Sequence, residues 1–277
     1  MDQLDETTLK TLGADALFDY ASARYAAADD DSPVWPAIQQ LRDRATQAVF
    51  DRSARLSADA DLNLRCLGIN VIAQIGLPDE SFHEQAVPLL LDRLAGEREP
   101  LALSAIAVAL GHRHDPRAVA PVAALRAHPD PDVRRSVVHA MLAHADPLAI
   151  ETLILLSADA DEDIRDWATF GLGSMIETDT PAIREALAAR MDDPHGAVRG
   201  EALVGLARRK DSRALPALLA DFADGWQGSL LFEAAGLLAD PALLPSLQAI
   251  KDSWDKPQDW EFAKLEDAIR DCSPPAG

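Results

Sequence analysis

The sequence predicts an all-α chain built as a stack of short helical hairpins, and three observations carry that expectation. The 277 residues hold 51 Ala but only 14 Gly, with 5% aromatics. Alanine is the strongest helix former and lets helices approach closely. Two short sequence markers recur with one shared period, the mark of a repeat architecture. Within the period, apolar residues fall at helical spacing: Ile164, Ala168, Leu172 and Met175 on one face, and Val198, Ala202, Leu206 and Ala207 on another.

Along the chain, residues 1–49 come first and are expected to form an N-terminal helical cap. One helical stretch lies within 1–28, an acidic linker follows at Asp29-Asp30-Asp31-Ser32-Pro33, and a second stretch runs from Trp35 to about Leu56. The repeats are expected over residues 50–251, about six of them. Their first marker reads Asp61-Leu62-Asn63-Leu64-Arg65, then Asp130-Pro131-Asp132-Val133-Arg134, then Asp161-Glu162-Asp163-Ile164-Arg165, then Asp193 through Val198-Arg199. The arginines lie 31 apart from Arg134 to Arg165 and 34 apart from Arg165 to Arg199. Arg65 to Arg134 is 69, room for two repeats, the middle one being the degenerate Pro100 to Ile106. The second marker is Asp115-Pro116, Asp146-Pro147, Asp179-Thr180-Pro181, Asp211-Ser212 and Asp240-Pro241. There the aspartate caps a helix and the proline occupies its first turn, where a missing N–H costs nothing. One such hairpin cannot bury its apolar face alone, so hairpins must stack. Residues 252–277 carry Trp254 and Trp260 and then a Pro-rich tail. A stack has to seal its ends from water, so this segment is expected to be the C-terminal helical cap.

With those residues in view, the pattern resembles HEAT repeats, in the short form also found in bilin-lyase-type HEAT proteins. The stretches DEDIRDWATFGLGSM (161–175) and EALVGLARRKDSRALPAL (201–218) are especially close to repeats of bacterial HEAT proteins. The resemblance covers roughly residues 50 to 250 and implies a right-handed α-solenoid. It speaks for fold and not for function, because HEAT solenoids host many unrelated roles.

Charge and composition exclude several function classes. A net charge of −20 argues against broad binding to nucleic-acid phosphates and against docking on an anionic membrane, and permits a basic partner. Of the 26 basic residues 21 are Arg. Cys66 and Cys272 are too few and too far apart to form a disulfide framework. The start MDQLDETTLK has no apolar signal region, and no run approaches 18 apolar residues. A cytoplasmic protein is expected.

Several side-chain sets invite a chemical reading. Arg65, Arg134, Arg165 and Arg199 form either an anion-binding stripe or a structural ladder, each guanidinium held by a carboxylate and loop carbonyls; the ladder is the expectation. Gly111-His112-Arg113-His114-Asp115 offers two imidazoles and a carboxylate, yet no other segment supplies the third or fourth ligand of a metal site, so a solvated turn is expected and no metal. Deoxyhypusine hydroxylase, a HEAT-fold enzyme, resembles this chain in repeat form but holds iron through His-Glu pairs. Here the matching slots read Gly200-Glu201, Asp166-Trp167 and Arg135-Ser136, and the lone His83-Glu84 lies in another register. HEAT-like alkylpurine DNA glycosylases need a basic groove, and no segment here is convincingly basic. Resemblance to bilin lyase subunits stops at the generic repeat. No Gly-rich phosphate loop or Ser/His/Asp arrangement is visible, so no cofactor is expected.

In HEAT proteins the Val-Arg helix generally lines the concave face, where partners bind. Aligned on the arginines, the column two residues on reads Leu67, Ala102, Ser136, Trp167, Glu201. The column five residues on reads Asn70, Ala105, His139, Phe170, Val204, and the column nine on reads Gln74, Ala109, Ala143, Ser174, Arg208. These columns accept polar residues, so Trp167 and Phe170 stand out as interface anchors. The alternative is that Trp167 folds over the seam between repeats. Residues 159–193 carry −7, the most acidic stretch. The expected function is therefore non-catalytic binding of a basic protein partner through Asn70, Gln74, Arg135, His139, Asp166, Trp167, Phe170, Glu201 and Arg208. The alternative is an immunity protein or antitoxin that occludes a bacterial toxin. A HEAT-fold enzyme or lyase subunit comes third.

Overall fold

The computed structural model describes residues 4–25, 34–142, 144–255 and 260–274, and every regular element among them is helical. The acidic linker 29–33 and Ala143 lie outside the described residues. The chain divides into two compact units, residues 1–141 and 142–277.

The first unit holds α1 (Glu6–Thr11), α2 (Ala14–Ser22), α3 (Trp35–Arg44), α4 (Gln47–Leu56), α5 (Leu62–Gln74), α6 (His83–Gly96), α7 (Pro100–Arg113), α8 (Val119–Ala123) and α9 (Pro131–Met141). The second holds α10 (Pro147–Leu156), α11 (Glu162–Phe170), α12 (Pro181–Ala188), α13 (Gly196–Arg208), α14 (Ala214–Ala223), α15 (Ser229–Leu238), α16 (Leu244–Asp252) and α17 (Trp260–Cys272). Consecutive helices pair as hairpins: α4 with α5, α6 with α7 and α8 with α9 in the first unit, and α10 with α11 through α16 with α17 in the second. The second helices of the hairpins stack on each other, α5 on α7 on α9, and α11 on α13 on α15 on α17. The segment expected to cap the C-terminus thus carries α17, which continues the layer of second helices.

Both sequence markers act at helix starts. Asp61 and Asp161 accept hydrogen bonds from the backbone N–H groups two and three residues on, and Asp115, Asp146 and Asp240 from the N–H two residues on, with proline in the first turn. In the third copy, however, Thr180 and not Asp179 caps α12, receiving the N–H of Ile183, while Asp179 turns to Arg184 at 2.6 Å. The apolar stripes form the core: Ile164, Ala168, Leu172, Val198, Ala202, Leu206 and Ala207 are fully buried. Met175, placed on the same stripe by α-helical spacing, is 39% exposed. The helix ends in one π-type turn, Gly171–Met175, whose wider winding rotates the last residues off the apolar face.

The arginine ladder is structural. Arg65 Nη1 donates to the carbonyls of Asp59 and Ala60, and its Nε reaches Glu97 of the next hairpin at 2.9 Å. Arg165 repeats this on Asp159, Ala160 and, as a two-toothed fork at 2.9 and 3.1 Å, Asp193. Arg134 holds the carbonyls of His128 and Pro129. The carboxylate of each complete rung therefore comes from the following hairpin, leaving the preceding aspartate free to cap its own helix. A second set of arginines closes helix C-termini. Arg113, 3% exposed, donates to the carbonyls of Ile72 and Ile75, and Arg209 to those of Leu172, Gly173, Ile176 and Thr178. These carbonyls are the ones a helix end leaves unpaired.

Candidate functional site

The nine expected partner-binding residues divide between the two units. Asn70, Gln74, Arg135 and His139 belong to the first, and the structure engages the first two in holding α3 against α5. Asn70 Nδ2 donates to Tyr25 Oη at 2.6 Å, and its backbone carbonyl accepts from Arg42 Nε and Nη2 at 3.0 and 2.8 Å. Gln74 Oε1 accepts from Arg42 Nη1 at 3.2 Å, and Gln74 Nε2 lies 2.9 Å from His112 Nε2. Burial pushes the His112 imidazolium down, helped by Arg42, Arg113 and His139. Burial and Arg135 do the same to His139, and Arg135 pairs with Asp132 at 2.7 Å. The expected solvated turn at His112 to Asp115 is thus mixed: His114 is exposed in a left-handed C-cap, whereas Arg113 and Asp115 are buried. Among the described residues no three His, Cys, Asp or Glu side chains are placed to hold one metal ion.

The other five residues share the second unit and sit on adjoining helices, Asp166, Trp167 and Phe170 on α11, Glu201 and Arg208 on α13. Trp167 is 41% exposed, and its ring meets Phe170 edge to face with centroids 5.7 Å apart and planes at 89°. The buried residues of α11 are Ile164, Ala168 and Thr169, so the tryptophan stands beside the core stripe and not inside it.

Beside this aromatic corner lies an excess of negative charge. Glu201 is half-buried, and burial, then Asp166, then Glu233 on α15 push its carboxyl up to about 7, against smaller opposing effects of Ser174 and Arg208. Ser174 Oγ lies 3.5 Å from Glu201 Oε2. Burial and Asp163 likewise raise Asp166, opposed by His195, and Asp166 Oδ1 is buried without a hydrogen-bond donor. Arg208 lies 3.7 Å from Glu233, so that carboxylate is partly matched. Carboxylates brought together away from water raise each other's affinity for protons or for a cation.

Local backbone chemistry creates this proximity. A Cβ on Gly173 would come within 2.9 Å of the Glu201 carbonyl, and one on Gly205 within 2.7 Å of Gly173 Cα. Two glycines facing each other let the π-type turn and α13 touch backbone to backbone, which draws the acidic side chains of both helices together.

Sequence reasoning missed three contributors. Glu233 lies in a hairpin whose first marker is absent, so no alignment column reached it. Gly171-Leu172-Gly173 and Gly205 were visible as small residues inside helices, a signal of close packing. Trp226, 46% exposed in the loop between α14 and α15, covers the Arg199 guanidinium at 3.8 Å. It packs where a Cβ on Gly196 would lie, and Arg199 Nε is 3.4 Å from Asp221. This last rung of the ladder is therefore closed by an indole and an aspartate of the next hairpin's first helix.

Comparison with known proteins agrees with this architecture. A family profile for HEAT repeats matches residues 51–143, 87–173 and 150–239. Protein YibA of Escherichia coli K12 is 32% identical over 124 residues, which are 45% of this chain and 44% of that protein. The match in sequence thus spans less than half the length of that relative. The X-ray structure of E. coli YibA superposes with a TM-score of 0.73 at 23% identity, covering 96% of this chain and 95% of that one. The crystal structure of an engineered protein aligns with a TM-score of 0.52 at 14% identity, over 94% of this chain and 77% of the other. At these identities the superpositions speak for fold alone. Among the described residues, no helix is long and apolar enough to cross a membrane.

Proposed function

The chain belongs to the HEAT-repeat family, and from that premise we propose that it is a non-catalytic protein-binding module whose partner is a basic protein seated on the layer formed by α11, α13 and α15. The observation that carries this reading is Trp167. It is a large apolar side chain, 41% exposed and braced by Phe170, next in sequence to Asp166 and at the same repeat position as Glu201 of α13. Rigid aromatics surrounded by polar groups are the anchors from which interfaces draw most of their energy. The acidic surround supplies the sign of the partner, since complementary potentials speed encounter and reject partners of like charge. The repeat scaffold supports the same reading, because a stack of hairpins offers an extended face instead of a closed pocket. Within this proposal the protein works in the cytoplasm.

The test is affinity capture from the native host's lysate with wild type and with Trp167→Ala plus Phe170→Ala, each retained protein being identified by mass. A basic protein held by wild type and reduced at least tenfold by the double variant is the expected result. Equal retention by both, or an acidic captured protein, overturns the reading.

One observation favours a second, narrower reading, an immunity protein that occludes a toxin. The stretch 159–193 carries −7 and includes the exposed tryptophan, a surface suited to covering a basic nuclease. Loss of protection against a neighbouring toxin gene in the Trp167→Ala, Phe170→Ala host is its expected signature, and full protection counts against it.

A further inference from the structure

The carboxylates beside Trp167 are only weakly offset by the protein's own cations: His195 and Arg208 favour their charged forms, but burial and neighbouring carboxylates outweigh them. Neither Asp166 nor Glu201 has a basic group within ion-pair distance among the described residues, and Asp166 Oδ1 is shielded from water with no donor. Elsewhere on the same helices the chain supplies such partners: Arg165 forks onto Asp193, and Arg208 faces Glu233. Asp166 directly precedes Trp167 on α11, and Glu201 holds on the adjoining α13 the repeat position that Trp167 holds on α11. We infer that Asp166, Glu201 and Trp167 together seat one arginine side chain of the basic partner, its guanidinium stacked on the indole and its N–H groups shared by the two carboxylates.

Resting on the binding reading above, this names the chemistry of the group that fills the face. A guanidinium fits better than an ammonium for two reasons. It is flat and weakly hydrated, so it can lie on an indole, and its fork offers N–H groups in two directions at once. The protein already shows that pairing where Arg199 lies 3.8 Å from the Trp226 ring and 3.4 Å from Asp221. The seat also couples binding to protons. The groups facing Glu201 are Asp166 of α11, Ser174 of the π-type turn, Arg208 of α13 and Glu233 of α15; His195 and Asp163 face Asp166. An arriving guanidinium favours the carboxylate form of Glu201, which burial, then Asp166 and Glu233, disfavour near neutrality. Binding then releases a proton, and affinity rises from pH 6 to pH 8.

The test uses the full chain and dye-labelled hexa-arginine and hexa-lysine peptides followed by fluorescence anisotropy. At pH 8 hexa-arginine is expected to bind at least fivefold more tightly than hexa-lysine. Asp166→Asn plus Glu201→Gln weakens it at least tenfold, Trp167→Ala at least threefold, and lowering the pH to 6 weakens wild type but not Glu201→Gln. The neutral variants keep side-chain size and relieve a buried charge, so the fold is retained. Asp51→Asn plus Glu151→Gln removes the same charge from α4 and α10 and is expected to change affinity less than twofold. Equal binding of the two peptides, or equal losses in the two charge-removing pairs, overturns the arginine seat. A captured protein that is lost by Trp167→Ala plus Phe170→Ala, yet kept by Asp166→Asn plus Glu201→Gln, overturns the seat while leaving the binding face standing.

Discussion

The charge on Glu201 carries a cost at neutral pH that Ser174 and Arg208 only partly offset. Its carboxyl titrates at about 7 in the fold, against 4.5 for an ordinary glutamate. A raised carboxyl binds its proton more tightly in the folded chain, so its contribution to stability is greatest below pH 4.5, falls as pH rises towards 7, and is constant above. Glu201→Gln should therefore leave stability at pH 5 nearly unchanged and raise it at pH 8 by about 1–2 kcal/mol, after discounting the shift for the side chain's partial exposure. Urea unfolding at the two pH values measures this, and an equal effect at both would refute the coupling. Asp193 has the opposite sign. It is 6% exposed, and the Arg165 fork and the His195 N–H hold its carboxyl below the usual range despite burial. Its contribution is present above pH 4 and lost as pH falls through the carboxylate range. Asp193→Asn should cost about 2–3 kcal/mol at pH 7 by leaving Arg165 with a poorer partner in a half-buried rung, measured by the same unfolding series. Both aspartate markers were legible in the sequence, because capping is a local event. The partner of each rung was not, since Asp193 lies 28 residues from Arg165 and only stacking brings them together.

At the scale of elements, contact between α13 and the π-type turn decides the shape of the candidate face. Gly205→Ala would push a Cβ to 2.7 Å from Gly173 Cα, and backbone on both sides leaves little room to yield. The expected loss is about 1–3 kcal/mol, as for other overpacked interiors. Gly96→Ala provides the contrast: nothing lies within 4 Å of the added Cβ at the end of α6, so better helix propensity should add up to about 1 kcal/mol. Thermal unfolding of both variants checks the pair, and a Gly205→Ala protein as stable as wild type would mean the helices are not in backbone contact. The helices themselves were legible from period and caps. The π-type turn was not: a strict 3.6-residue stripe placed Met175 in the core, and one wider turn after Gly171-Leu172-Gly173 moved it to the surface. Glu233 escaped for a similar reason, because its hairpin has lost the marker that aligned the others.

For the whole molecule, the charge of −20 divides into two kinds. Many carboxylates are architectural, capping helices as Asp61 and Asp146 do or holding ladder arginines as Glu97 and Asp193 do. Those carboxylates already have hydrogen-bond or ion-pair partners within the protein. The remainder matters where it is unmatched and beside an aromatic, and on that criterion Asp166 and Glu201 separate from the rest. Column alignment alone placed Asn70 and Gln74 with them as equals, although these two are engaged with Tyr25, Arg42 and His112. Sequence periodicity reports which residues share a face, but not which of them are already bonded. On the proposed reading, the face of α11, α13 and α15 receives the partner. Hydrogen exchange of the full chain with and without its captured basic partner tests it most directly. Slowed exchange over residues 162–175 and 196–208, abolished by Trp167→Ala plus Phe170→Ala, is the predicted result; protection confined to α10, α12 and α14, or to the first unit, would contradict it.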